Sequence, residues 1–192
     1  MRKIIVGITT VCVLLASVLA ASAAAPANFA GTWALDKVQS ESLPPQTAAL
    51  VSLTLTVTQD AQQLTVDSKA DMGQNAAAGA SGITQQPGVG RGRGMGREMF
   101  PPSASYKLDG TETTADNPGG RGGTTTFKAQ WKDGGKTLEL KRVGKFSFQG
   151  NDVTITTTED WTLSADGKTL TVKRTSESPR GTQSSTLVFN KQ

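Results

Sequence analysis

The chain has no histidine and a single cysteine, Cys12. Nucleophile systems that rely on an imidazole base, of the Ser–His or Cys–His kind, are therefore excluded. Zinc sites built from His and Cys are excluded for the same reason. A lone cysteine cannot close an intramolecular disulfide, so the core must hold the chain together unaided. The Asp-x-Asp spacing of a calcium loop is also missing. Gly90-Arg-Gly-Arg-Gly-Met-Gly96 is not a phosphate loop, because no Gly-Lys-Ser/Thr follows it and no strand-to-helix context surrounds it. No cofactor is expected.

Charge is scarce as well. The formal net charge is +4 over 192 residues, and Arg2 and Lys3 supply two of those charges. The remaining excess is small and spread along the chain, which argues against a nucleic-acid partner. Acid clusters are equally thin. Glu159 and Asp160 are neighbours on one expected strand, so they point to opposite faces and cannot form a two-carboxylate hydrolytic pair with each other. Asp36 and Glu139 have no identifiable partner. The chain is not expected to be an enzyme.

Long apolar runs occur once. Arg2 and Lys3 precede an apolar stretch from Ile4 to Ala20, and Ala21-Ser22-Ala23 fits a small-x-small cleavage pattern. Residues 1–24 are expected to be a signal peptide, removed after Ala23 or Ala24; an uncleaved anchor is the other reading. Cys12 would leave with it. The expected protein is exported, periplasmic or extracellular. The roughly 168 residues that remain are enough for one domain with a sizeable core, taken here as 25–192.

No segment shows the i, i+3, i+4 spacing of a helix of about ten residues. What is present instead is alternation. A polar turn followed by alternating apolar residues occurs at Thr58–Val66, at Trp131–Leu140 and at Ser164–Val172. Asp-Gly supplies the positive φ that tight hairpins need, and period two marks a strand with one buried face. Strands are predicted at 29–36, 50–58, 62–69, 103–109, 123–132, 136–149, 151–163, 168–176 and 182–190. The connectors are short, so neighbouring strands run antiparallel. The fold class is all-β: an up-and-down meander closing into a barrel of about 8–10 strands, which removes its exposed edges. A flattened two-sheet sandwich fits the same pattern. One stretch breaks the pattern. Residues 72–102 are Gly, Ala, Gln, Pro and Arg with few large apolar side chains, and are expected to form a flexible loop. A shorter Gly-rich loop follows at 117–123.

The expected domain begins Asn28-Phe-Ala-Gly-Thr-Trp-Ala-Leu-Asp36, and Trp161 to Leu170 reads Trp-Thr-Leu-Ser-Ala-Asp-Gly-Lys-Thr-Leu. Gly31-Thr32-Trp33 at the start of the first strand resembles the Gly-x-Trp of lipocalin-like barrels. The two phrases together resemble secreted bacterial β-barrel proteins of unknown function. The resemblance implies carriage of a hydrophobic ligand inside the barrel. It also implies that Gly31 and Trp33 mark the closed barrel end, with a cation from near the last strand, Arg174 or Lys191, over the Trp.

The candidate ligand-binding residues are Tyr106, Phe127, Trp131, Phe146 and Trp161, with Arg142 as a partner for an acidic head group. A barrel of this size either holds one small ligand or is filled by its own side chains. The expected function is therefore binding of a small hydrophobic or amphipathic molecule. The alternative is a structural or interaction module with a filled core, working through its surface or its Gly/Arg loop. Arg91, Arg93 and Arg97 in that loop could meet an anionic envelope surface; Arg121 lies in the shorter one.

Overall fold

The structure is a computed structural model and describes residues 25–72, 101, 103–117, 123–148 and 150–192. The expected leader at 1–24, nearly all of the expected 72–102 loop with Arg91, Arg93 and Arg97, and Arg121 lie outside those residues.

Alternating Leu, Val, Phe and Trp against Thr, Lys and Ser produces ten strands among the described residues. They are β1 (Gly31–Glu41), β2 (Ser52–Gln59), β3 (Gln63–Asp71), β4 (Ser103–Lys107) and β5 (Thr113–Asp116). The second half holds β6 (Thr124–Lys132), β7 (Thr137–Phe148), β8 (Asn151–Leu163), β9 (Thr169–Ser178) and β10 (Gly181–Lys191). All belong to one sheet, ordered β4-β3-β2-β1-β10-β9-β8-β7-β6-β5, and every ladder is antiparallel. This is the up-and-down meander that the turn spacing predicts.

The first and last strands pair with each other, so the two free edges are β4 and β5. They close on each other through side chains. Tyr106 on β4 and Phe127 on β6 meet edge to face at 5.4 Å, and the Thr113 hydroxyl donates to the Ser105 carbonyl at 3.5 Å. Among the described residues the barrel is nearly closed, with one seam that lacks a backbone ladder. Strand β5 was not expected. Thr-Thr-Ala-Asp carries no large apolar residue, and its pairing is set by the register Thr113↔Phe127 to Asp116↔Thr124.

Antiparallel order sorts the connections to two ends. The turn end holds the β2–β3, β4–β5, β6–β7 and β8–β9 turns. Two of the three repeated phrases use Asp as a turn acceptor. Asp60 accepts from the backbone N–H groups of Gln62 and Gln63, and Asp166 accepts from the Ser164 hydroxyl and the Lys168 N–H. These bonds hold both carboxyls below their ordinary pKa. The middle copy works by backbone conformation. Asp133, Gly134 and Gly135 all have positive φ in a short 3-10 turn. The loop end receives the connections after β1, β3, β5, β7 and β9. The 72–102 and 117–123 connections thus leave from the same end.

The core sits toward the turn end. Phe29, Trp33, Leu64, Leu138 and Leu170 are fully buried there. Phe29 plugs the floor, edge-on to Trp161 at 5.8 Å and stacked on Trp131 at 6.1 Å. Trp33 donates its indole N–H to the Phe29 carbonyl at 2.9 Å. Lys191 on β10 lies over the Trp33 ring, 5.1 Å from its centroid. The resemblance implies a cation over this Trp, and Lys191 fills that place; Arg174 does not. The Gly at position 31 has a physical reason: its φ is +144°, and a Cβ there would sit 2.8 Å from the Lys191 Cε.

At the loop end β1 departs from its ladder. Asp36 pairs with Val188, but Glu41 pairs with Thr186, so β1 carries extra residues in a bulge. Ser40 repairs the gap by donating to the Asp36 carbonyl and accepting from the Val188 N–H. Asp36, for which the sequence offered no partner, accepts from the Val38 and Gln39 N–H groups and from Asn190. The strand then leads into a one-turn helix, α1 (Pro45–Ala48), whose Thr47 is buried with Leu50 and Leu53 just after it.

Candidate functional site

Inward positions on β7, β8 and β9 change character at the same height. Toward the turn end they are Leu138, Leu140, Trp161, Leu170 and Val172, all buried. The next inward steps are Arg142 on β7, Glu159 and Thr157 on β8, and Arg174 on β9. The register aligns them. Glu159 lies directly across from both Leu140 and Arg174, and Arg142 lies across from Thr157. Strand alternation therefore turns three ionisable side chains into the barrel, just above a packed apolar floor.

Glu159 is the hub. Its Oε1 accepts from Arg174 Nε at 2.8 Å and pairs with Arg174 Nη2 at 2.5 Å. Its Oε2 accepts the Trp161 indole N–H at 2.8 Å. Burial pushes the Glu159 pKa upward, but Arg174, Arg142 and the Trp161 bond together outweigh it, so the carboxyl stays below its ordinary value. Tyr106 reaches the same space from β4. Burial pushes its phenol far upward; the charges of Arg142 and Arg174 oppose that shift and the charge of Glu159 adds to it. At neutral pH the layer holds two guanidiniums, one carboxylate and a neutral phenol.

These groups line a cavity of ≈30 Å³ with Ser68, Ala104 and Phe189. That holds about one water molecule, against about 300–1,000 Å³ for typical ligand pockets. Above this layer the inward side chains are only half-buried: Phe146 and Val153, which face each other across the β7–β8 ladder, and Ile155. Exposed Val51 and Met72 stand at the same end, beside the bond from the Val51 N–H to the Asp71 carbonyl. The sequence of environments is an apolar floor, a charged layer and an apolar upper wall.

The candidate residues separate accordingly. Tyr106, Trp161 and Arg142 line the cavity. Phe127 supports it by packing on Tyr106, and Phe146 stands on the upper wall. Trp131 lies elsewhere. It is at the turn end, where it stacks on Phe29 and lines an outer groove of ≈330 Å³ with Pro26, Leu108, Gln59 and Asp60. Three polar side chains of that groove bond within the fold: Gln59 clamps the Phe29 N–H and the Ala27 carbonyl, Asn28 accepts from the Ala30 N–H, and Asp60 holds its own turn. Trp131 is therefore not part of the charged layer.

Glu159 and Arg174 were not among the sequence candidates for the site. The signal was present in parity, because Glu159 has the same parity as Trp161, and Arg174 the same as Val172. Asp160 points outward, where Lys132 bridges it to Glu139. Glu159 and Asp160 do lie on opposite faces, as expected. Among the described residues no group of three or more Asp, Glu, His or Cys converges as a metal site requires.

A pH dependence follows from Glu159. Its folded pKa is depressed, so on acidification the unfolded chain takes up this proton first. The stability it contributes is complete above the ordinary carboxyl value of 4.5 and is lost as pH falls through the folded value. The melting temperature of the wild type should therefore fall more steeply below that pH than that of Glu159→Gln, as read by circular dichroism. Equal slopes would remove the ion pair from the acid response.

No family model matches the chain, and no curated protein matches it. Among solved structures, zebrafish ileal bile acid-binding protein complexed with cholic acid aligns over 85% of this chain and 98% of its own, at 13% identity and a TM-score of 0.45. A likeness at that level supplies no argument about ligand or residues, and the ten-stranded barrel stands on the chain's own ladders.

Proposed function

We propose that the protein binds one small amphipathic molecule in the loop-end half of its barrel. The acidic head group sits at the layer of Arg142, Arg174 and Tyr106, and the apolar part lies against Phe146, Val153 and Ile155. The observation that carries this reading is the charged layer itself. Desolvating an ion costs several kcal/mol, and packed hydrophobic side chains would serve stability at least as well. Charges retained inside a barrel, between an apolar floor and an apolar upper wall, suit recognition of a molecule with the same two-part chemistry. The role is binding and not catalysis. The leader-like residues 1–24 support an exported site of action.

A second reading, a filled-core interaction module, is favoured by one observation. The cavity volume of ≈30 Å³ leaves no room for a tail without movement of the side chains that line it. Native mass spectrometry of the protein purified from its own cell envelope, followed by solvent extraction, separates the two. The binding reading expects a one-to-one adduct, lost on denaturation, that proves to be an acidic amphiphile. A clean protein mass, with no uptake of a fluorescent fatty-acid probe, would leave the filled-core module.

A further inference from the structure

The outer groove at the turn end is much larger than the cavity in the barrel, ≈330 Å³ against ≈30 Å³. Its volume falls within the ordinary range for small-molecule sites, about 300–1,000 Å³. Its walls are held by the backbone. The Ala27 N–H donates to the Gly135 carbonyl at 2.8 Å, and the Leu108 N–H donates to the Gln62 carbonyl at 2.8 Å. Gln59 at the end of β2 ties down Phe29 and Ala27. Stacking on Phe29 fixes the Trp131 ring, which stays half-buried and open to the groove.

Three polar atoms of these walls are not used by the fold. Asp60 uses Oδ1 for the Gln62 and Gln63 N–H groups, and among the described residues nothing donates to its Oδ2. Asn28 uses Oδ1 for the Ala30 N–H, which fixes its amide orientation and leaves Nδ2 as a donor. The Trp131 indole N–H makes no bond among the described residues, whereas those of Trp33 and Trp161 are both taken. The groove thus offers one charged acceptor, two N–H donors, an aromatic ring and the apolar sides of Pro26 and Leu108.

We propose that this groove binds a neutral saccharide through Trp131, Asp60 and Asn28. A sugar hydroxyl both donates and accepts, so one ring can satisfy a carboxylate and N–H donors together. The C–H face of the ring carries slight positive charge and suits the negative face of an indole. A quaternary cation would use the indole and the Asp60 charge, but it carries no acceptor for the two N–H groups. Walls already held by hydrogen bonds reduce the ordering cost of binding. Phe29 packs on Trp131 and on Trp161, so it separates this groove from the charged layer, and the two sites are independent.

Titration of ¹⁵N-labelled protein with cellobiose should move the Trp131 indole N–H resonance along a saturable curve, with half-saturation on the order of 1–10 mM. The Trp33 and Trp161 resonances should stay in place. Sorbitol, which has hydroxyls but no ring, and tetramethylammonium should not saturate. Asp60→Asn keeps Oδ1 for the turn and replaces the open acceptor with a donor. It should weaken cellobiose binding by about tenfold, as expected for losing a hydrogen bond to a charged group. A Trp131 resonance that ignores cellobiose, or that follows sorbitol equally, would overturn the inference and leave the barrel site untouched. Saturable binding of tetramethylammonium without cellobiose would assign the groove to a cation and overturn it too. So would an unchanged affinity in Asp60→Asn. Should that variant not fold, the comparison of the three probes on the wild type still decides.

Discussion

Changing Arg174 to methionine should destabilise the protein by about 3–5 kcal/mol, because it leaves the Glu159 carboxylate buried without its ion partner. The carboxylate would keep the Trp161 indole N–H but lose two guanidinium contacts. Burial would then dominate, and Glu159 would be driven toward its protonated form. Removing both charges, in Arg174→Met with Glu159→Leu, should recover most of that loss, since a packed apolar pair avoids the cost of desolvation. Urea unfolding of the two variants gives both numbers. A single substitution as harmless as the double one would mean that the pair is not held as the barrel register places it. Recovery of stability without recovery of binding would be the outcome most favourable to a functional role for the charged layer.

The second large effect belongs to the turn end. Trp33→Ala should cost about 3–5 kcal/mol, the range for deleting a buried aromatic side chain. Trp33 is fully buried, donates to the Phe29 carbonyl and carries Lys191 over its ring. Phe29 in turn closes the floor under Trp161, so the cavity left behind would loosen the support of the charged layer as well. Lys191→Ala should cost much less, about 0.5–1 kcal/mol, because a cation at an exposed site adds little. Thermal unfolding of both variants tests the ordering. A Trp33 variant as stable as the Lys191 variant would show that the floor repacks around the gap.

Much of the barrel was legible in the sequence because hairpin chemistry is local. Asp60, Asp133-Gly134 and Asp166 mark their turns within a few residues, and alternation assigns a face to each side chain without reference to the rest of the fold. Leu138, Leu140, Trp161 and Val172 fall on the inward face by alternation alone, and all four are buried. Strand β5 escaped because Thr113–Asp116 has no apolar signal of its own; its pairing comes from β6. The β1 bulge escaped for a related reason. Ser40 mends the ladder to Val188 across the length of the chain, and no local pattern announces such a bond.

The candidate site was less legible. Arg142, Tyr106 and Trp161 were singled out, but their neighbours Glu159 and Arg174 were assigned no role in the site. The parity of both residues was available. What sequence could not supply was the register that sets Glu159 opposite Arg174, since that depends on the β8–β9 turn. Trp131 shows the converse. It has inward parity, yet it lies at the level of the floor beside Phe29, because height in the barrel is fixed by register and not by alternation.

The chain has three tryptophans, and each indole N–H reports a different place. Trp33 lies in the floor, Trp131 at the outer groove, and Trp161 on the Glu159 carboxylate of the charged layer. The most direct measurement is therefore a titration of ¹⁵N-labelled protein with decanoate, following the three indole N–H resonances. The Trp161 resonance should move and saturate at one equivalent, while Trp33 stays in place. A Trp161 resonance that does not respond to any single-tailed acid would contradict a ligand in the barrel and leave the core as a filled one.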